Sequence, residues 1–339
     1  MAVSAAVPPW LARQRRELLA QRGHAWLLLG PSGLGQYTLA LELARGWLCE
    51  HPTADGACGQ CGSCHAIEVR THADLAVLMP ENLMGVLGWP LDEKAQKDID
   101  EKKRKPSREI RIDAMRDAIE FSQRTSARGR GKVVLVYPAE RMNAFTANAL
   151  LKTLEEPPGD VRFVLATEAA HQLLPTIRSR CIAHTLAWPA PGESETWLAA
   201  QGLDPAEAGA LLRAAGGRPE DALAFHQAGI AARQWAGLPR ALARGDVAAL
   251  GDWSPAAMVD ALQKLCHDMM ALACGAPPRF FAAADLPAAP PLATLNRWSR
   301  ELARTLRTVE HPFNEGLLRE ALVSRARSAL HSQASAARR

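Results

Sequence analysis

The sequence predicts an α/β sandwich built on a parallel sheet, followed by an all-α half. Three observations carry this. Short apolar runs alternate with segments of helical period up to about residue 187, a glycine-rich loop joins the first of these runs to a helix, and strand signals vanish beyond Trp188-Pro189. A chain of 339 residues exceeds what one core usually serves, so two or three domains are expected.

Taken in order, Trp26-Leu27-Leu28-Leu29 reads as a buried strand, and residues 38–47 follow with helical spacing at Leu39, Leu43 and Trp47. Residues 74–79 (DLAVLM) form a second strand. Residues 80–108 are irregular and end in the run DEKAQKDIDEKKRKPSR, whose mixed signs and few apolar side chains mark a solvated excursion. Helical period returns over 110–121 through Ile112, Met115, Ile119 and Phe121. Residues 133–136 are a strand, 146–156 a helix stopped by Pro157-Pro158, and 162–166 and 183–186 two further strands.

After residue 188 alanine, leucine and arginine dominate, and Pro/Gly punctuation at Pro191-Gly192, Gly216-Gly217, Pro255 and Pro277-Pro278 separates helices. The domain reading is 1–187 for the sheet-bearing part, 188–230 for a small helical domain and 231–339 for a larger helical bundle. Trp235, Trp253 and Trp298 are assigned to core packing, and the tail 332–339 to a frayed end. No apolar run reaches the ~18 residues that span a bilayer, and the first ten residues lack a signal-peptide pattern, so a cytoplasmic protein without membrane partners is expected. A net charge of +4 permits contact with nucleic acid without implying it.

Residues 30–38 read GPSGLGQYT. A working phosphate-binding loop, GxxxxGK[ST], cradles phosphates with backbone N–H groups, places a Lys on the β/γ charge and a hydroxyl on Mg²⁺. Gly30, Gly33 and Gly35 are in place, but Gln36 stands for the lysine and Tyr37 for the metal-binding hydroxyl, with Thr38 following. A neutral amide cannot replace an ammonium, and a phenol is a poor Mg²⁺ ligand. A second defect lies in KVVLVYPAERMN, residues 132–143, where the strand should end in an Asp-Glu pair that holds Mg²⁺ and polarises water. Tyr137 and Pro138 stand there, and the nearby Glu140, Glu155 and Glu156 read as solvated helix residues. Two independent losses at one site indicate a nucleotide site that no longer hydrolyses.

Cys49, Cys58, Cys61 and Cys64 give C-x8-C-x2-C-x2-C, with Gly56, Gly59 and Gly62 supplying turns. Short Cys-x2-Cys spacings place thiolates on one side of an ion, and four thiolates close the tetrahedral shell of a structural Zn²⁺. A disulfide framework is disfavoured in a reducing cytoplasm. His51 and His65 are spare donors, while Cys181, Cys266 and Cys274 read as small buried apolar residues.

PPWL at 8–11, the degenerate loop, the four-cysteine module, NALLKTLEEPP at 148–158, FVLAT at 163–167 and LLPTIRSRC at 173–181 together resemble the clamp-loader branch of the AAA+ ATPases. Within that branch they resemble the member that does not hydrolyse ATP. The resemblance implies an AAA+ α/β domain with a zinc-module insertion, a helical lid and a C-terminal helical collar. It implies a hetero-pentameric ring shared with delta and gamma/tau subunits, which places a sliding clamp on primed DNA during replication. The chain would then be an accessory subunit of a DNA-directed DNA polymerase, a nucleotidyltransferase, with no catalytic site of its own and no ATP bound. Ser179 and Arg180 match the family motif whose arginine enters the neighbouring subunit's ATP site; from the residues alone Arg180 is a surface arginine or half of an internal salt bridge. Glu220, in GGRPEDAL, occupies the place where an active relative would carry a nucleotide-sensing arginine.

Two other functions compete. An ATPase with an unusual site would need Gln36 and Glu140 to replace a lysine and a carboxylate pair. A zinc-dependent DNA-binding protein would need a clustered basic, aromatic face, and the segment around the four cysteines is only weakly basic.

Overall fold

The computed structural model describes residues 7–251, 253–309, 311 and 314–332. The frayed tail expected over 332–339 therefore lies outside the described residues beyond Ser332, as does the start of the segment read for a signal peptide. The chain divides into two compact units, residues 1–193 and 194–339. Among the described residues, no helix is long and apolar enough to cross a membrane.

The first unit runs α1 (Pro9–Leu19), β1 (Ala25–Leu29), α2 (Gln36–Leu48), α3 (Gly62–Glu68), β2 (Leu75–Leu78), α4 (Glu81–Leu87), α5 (Glu93–Asp100), α6 (Ile112–Gln123), β3 (Lys132–Val136), α7 (Ala144–Glu155), β4 (Val161–Thr167), α8 (Pro175–Arg178) and β5 (Ile182–Thr185). The strands form one parallel sheet in the order β2-β3-β4-β1-β5. Period-two alternation sends Val134 and Val136 to the face packed by Met115 of α6 and Leu150 and Leu154 of α7, and Val133 to the face packed by Ala44 and Leu48 of α2. β1, β3 and β4, buried on both faces, read as continuous apolar runs, whereas β5 (Ile-Ala-His-Thr) is a largely exposed edge strand. Phe163 at the centre of β4 is fully buried, and truncating it to Ala would cost about 3–5 kcal/mol.

The parallel order sets the ends of β3, β4 and β1 side by side, so the loop after β1, Thr167-Glu168 after β4 and Tyr137 after β3 meet at the carboxyl edge of the sheet. Helix α1 ties to this edge: Trp10 Nε1 donates to the Leu34 carbonyl at 3.1 Å. Arg15 of α1 and Arg45 of α2 share the buried Glu42 at 2.5 and 2.8 Å.

The segment 80–108 keeps most of its charged side chains exposed, as expected, but it holds two short helices and is not irregular throughout. Glu81, 8% exposed, accepts two guanidinium bonds from Arg104, one from Arg111 at 3.3 Å and the backbone N–H of Ser107 at 2.8 Å. Arg104 and Arg111 thus meet on one buried carboxylate, and α4 and α5 precede and follow the buried Trp89 in the chain.

The second unit is helical: it holds all but the first three residues of α9 (Pro191–Ala200), then α10 (Pro205–Ala214), α11 (Pro219–Gln227), α12 (Ala232–Arg244), α13 (Pro255–Ala273), α14 (Leu292–Thr308) and α15 (Glu315–Leu330). Leu198, Leu211, Leu212 and Ala222 make a small cluster, and a larger one gathers Trp235, Trp253, Leu262, Leu265, Trp298 and Val323. The assignment of the three tryptophans to core packing holds, with the Trp235 ring stacked 4.7 Å from Phe281. Cys266 is buried and Cys181 half-buried, but Cys274, just past the last turn of α13, is exposed rather than a core residue.

Candidate functional site

Three clusters of the first unit carry the residues singled out from sequence. At the carboxyl edge of the sheet, Gly33 and Gly35 have φ of 75° and 97°, the left-handed conformation in which a Cβ would be strained. Gly35 thereby turns the chain into α2, and the next residue, Gln36, is 2% exposed. Its side-chain amide donates to the carbonyl oxygens of Gly30 and Pro31, each at 2.6 Å. The residue in the lysine position therefore points its donors back into its own loop.

Tyr37 lies beside Tyr137, ring centroids 5.4 Å apart. The Tyr37 hydroxyl accepts from Trp89 Nε1 at 2.6 Å, and the Tyr137 hydroxyl donates to Glu168 at 2.8 Å. Burial pushes the Tyr37 phenol up, against the opposing Trp89 bond and the Arg70 charge. Glu140, read from sequence as solvated, accepts from Thr167 Oγ1 at 2.6 Å and from the Glu168 N–H at 3.2 Å, closing the end of β4. Trp89 was not singled out from sequence; its signal was a tryptophan in the uncharged run LMGVLGWPL, residues 83–91, just before the charged stretch.

The four cysteines converge. Their Sγ atoms all lie within 4.8 Å of one another, with Cys49–Cys61 at 3.8 Å, Cys49–Cys64 at 3.7 Å and Cys58–Cys64 at 4.0 Å. Four sulfurs placed tetrahedrally about 2.3 Å from an ion would be about 3.8 Å apart, so this donor set can hold a metal. Gly56 and Gly59 make the turns with positive φ, whereas Gly62 opens α3. Backbone N–H groups of Cys58 and Cys64 point at the sulfurs of Cys49 and Cys61 at 3.2 and 3.4 Å, orienting the set as outer-shell bonds do. Burial pushes the Cys64 thiol up to about 12. At Cys61 burial acts the same way, but bonds from the backbone of Cys64 and Glu50 outweigh it and bring the thiol down to about 6. His51 and His65 are exposed and are not part of the cluster.

The module is braced from outside. Glu50 accepts from the N–H and Oγ of Ser63, both at 3.0 Å, and from Arg128 at 2.7 Å. Arg128 follows a loop anchored on Asp74, a fully buried carboxylate that accepts from Ser126 Oγ, the N–H groups of Ala127 and Arg128, and Lys132 Nζ, at 2.8 to 3.0 Å.

Arg180 follows α8, with Ser179 as its C-cap. Its Nε donates to Glu155 at 2.6 Å and its Nη2 to the same oxygen, while Nη1 donates to the Thr176 carbonyl at 2.8 Å. The internal salt bridge that the residues alone allowed is thus present, made by a glutamate read from sequence as solvated. Glu220 lies in the second unit, in the first turn of α11.

The family described as DNA polymerase III, delta subunit matches residues 14–189, just over half of the chain. The DNA polymerase III subunit delta' of Yersinia pestis is 31% identical over 256 residues, 71% of this chain and 68% of that relative. The chain belongs to the delta-prime family of DNA polymerase III subunits. Delta-prime proteins of Pseudomonas aeruginosa and Escherichia coli are 41% and 36% identical over 213 and 225 residues, 62% and 65% of this chain. The chain spans 58% and 60% of the length of these two delta-prime relatives. The family match covers the sheet edge, the four cysteines and Arg180.

Proposed function

We propose that this chain is a nucleotide-silent delta-prime subunit of a bacterial clamp loader, an accessory subunit that helps place the sliding clamp on primed DNA. The observation that carries the reading is the Gln36 amide folded onto Gly30 and Pro31 beside the paired rings of Tyr37 and Tyr137. A triphosphate needs a cation, a Mg²⁺ hydroxyl and carboxylates, and the loop offers an amide engaged with its own backbone and two phenols in their place. Gly30, Gly33, Gly35 and Thr38 would then maintain a loop whose chemistry is gone.

The partners on this reading are delta and gamma/tau subunits in a hetero-pentameric ring, with clamp and DNA reached through the complex. Residues 1–187 carry the AAA+ domain, 188–230 the lid and 231–339 the collar that holds the ring together. Zn²⁺ is the ion proposed for Cys49, Cys58, Cys61 and Cys64: four soft donors complete its shell, leaving a structural site rather than a catalytic one. Arg180, with Ser179 before it, would reach the neighbour's ATP in trans. Guanidinium suits that task because its planar donors match phosphate oxygens and its charge persists at working pH.

Native mass spectrometry of the full chain mixed with purified delta and gamma/tau subunits tests the assignment. One copy of this chain per ring is expected; failure to enter any ring would overturn it.

A further inference from the structure

Resting on the reading of Arg180 as a finger in trans, we infer that Glu155 is its positioning residue, a carboxylate that holds the guanidinium by one edge and turns the other toward the neighbour's phosphate. Arginine has five N–H donors. Nε and one hydrogen of Nη2 go to Glu155, and one hydrogen of Nη1 goes to the Thr176 carbonyl. Nη1 also donates to Ser179 Oγ at the longer distance of 3.4 Å, and that hydroxyl donates in turn to the Thr176 carbonyl at 3.2 Å. One hydrogen of Nη2 remains, and beside it the Nη1 hydrogen makes only the long bond to Ser179, so this edge can meet two phosphate oxygens side by side once that bond is exchanged. Without Glu155 the guanidinium would be tethered through Nη1 alone, to Thr176 and Ser179, and could turn about that corner.

The elements fit such a role. Glu155 is the last residue of α7, and Pro157-Pro158 follows it, so the backbone bearing the carboxylate ends abruptly against the turn bearing Arg180. Arg180 keeps 29% and Glu155 48% of their side chains exposed. An ion pair this open contributes little to folding, roughly 0–1 kcal/mol in general, so its removal spares the fold. What it restricts is orientation. The finger acts on charge that develops in the transition state, so loosening it lowers kcat and leaves the KM for ATP in place.

The test uses the reconstituted loader, measuring ATP turnover stimulated by clamp and primed DNA. Glu155→Gln should lower kcat about 2- to 5-fold with KM unchanged, the span that an exposed ion pair corresponds to in rate. Glu156→Gln, which makes the same charge change one residue on, should leave kcat alone. In an Arg180→Ala background Glu155→Gln should have no further effect, because its action runs through the guanidinium. Melting temperature and metal content should match the unmodified chain throughout. If Glu155→Gln leaves kcat unchanged while Arg180→Ala lowers it, or if the two losses multiply, Glu155 does not position the finger. If Arg180→Ala itself has no effect, the finger reading fails first and this inference with it.

Discussion

Tyr37 and Tyr137 lie with ring centroids 5.4 Å apart and planes tilted by 33°, one at the start of α2 and the other just past β3. A phosphate-binding site of this topology puts a metal between those two positions. Here the hydroxyls are turned to Trp89 and to Glu168, so each phenol is held by a partner on a different segment. On the function proposed above, the two sequence departures meet in one structural feature, a pair of neighbouring aromatic rings.

Restoring one part of the site should therefore fail. Gln36→Lys puts an ammonium where the amide bonds Gly30 and Pro31, but Tyr37 and Tyr137 still offer no metal ligand. Phosphate-release assays of the purified variant should read background. Turnover clearly above the unmodified chain would show that the lysine alone had been missing.

The metal module should behave as part of the fold, because binding energy at a closed thiolate site is also folding energy. Plasma emission analysis should find about one Zn²⁺ per chain. Cys61→Ser should lower stability by about 2 kcal/mol or more and speed proteolysis within residues 49–65. Acid should release the ion, since protons compete for the same sulfurs. A metal-free chain whose four thiols alkylate freely in the native state would refute the site.

Asp74 should set an acid limit on stability. Burial disfavours its charge, yet the N–H of Ala127, Lys132, the N–H of Arg128 and Ser126 together hold it below the ordinary aspartate value of 3.8. A carboxyl lowered in the folded state contributes stability in full above the unfolded value, and that contribution is lost as pH falls through the folded one. Denaturant titrations between pH 5 and 2 should show this loss, and Asp74→Asn should flatten it. Asp74→Ala leaves Lys132 buried and unpaired and should cost about 3–5 kcal/mol at neutral pH. An unchanged acid profile in Asp74→Asn would place the titrating group elsewhere.

Arg180→Ala should leave folding, metal content and ring assembly intact while slowing clamp loading. Arginine fingers are worth about 10³ to 10⁵ in rate where measured, and one finger among several sites in a ring should cost less, about tenfold or more. Arg178→Ala, two residues away with the same charge, is the control. Equal damage from the two substitutions would make the effect one of surface charge.

Much of this was legible because it rests on short-range chemistry. The buried strands β1, β3 and β4 announced themselves as apolar runs, and Gly35 and the Cys-x2-Cys spacings carried their backbone requirements in sequence. What escaped was pairing across distance. Most of the charge of 92–108 is exposed as read, but nothing local shows that Arg104 reaches back to a buried Glu81. Glu155 is exposed as read, but its bond to Arg180 escaped for the same reason, as did that of Glu140 to Thr167, the partners being 25 and 27 residues away. Trp89 mattered only once the sheet had brought Tyr37 within 2.6 Å of it.

The central claim, that this member of the delta-prime family has a silent nucleotide site, is tested most directly by titrating the purified full-length chain with Mg²⁺–ATP in a calorimeter and assaying the same sample for phosphate release. The account predicts no saturable binding and no turnover, with the chain folded and metal-loaded. Saturable binding accompanied by hydrolysis, abolished by substituting Gln36 or Tyr37, would contradict it.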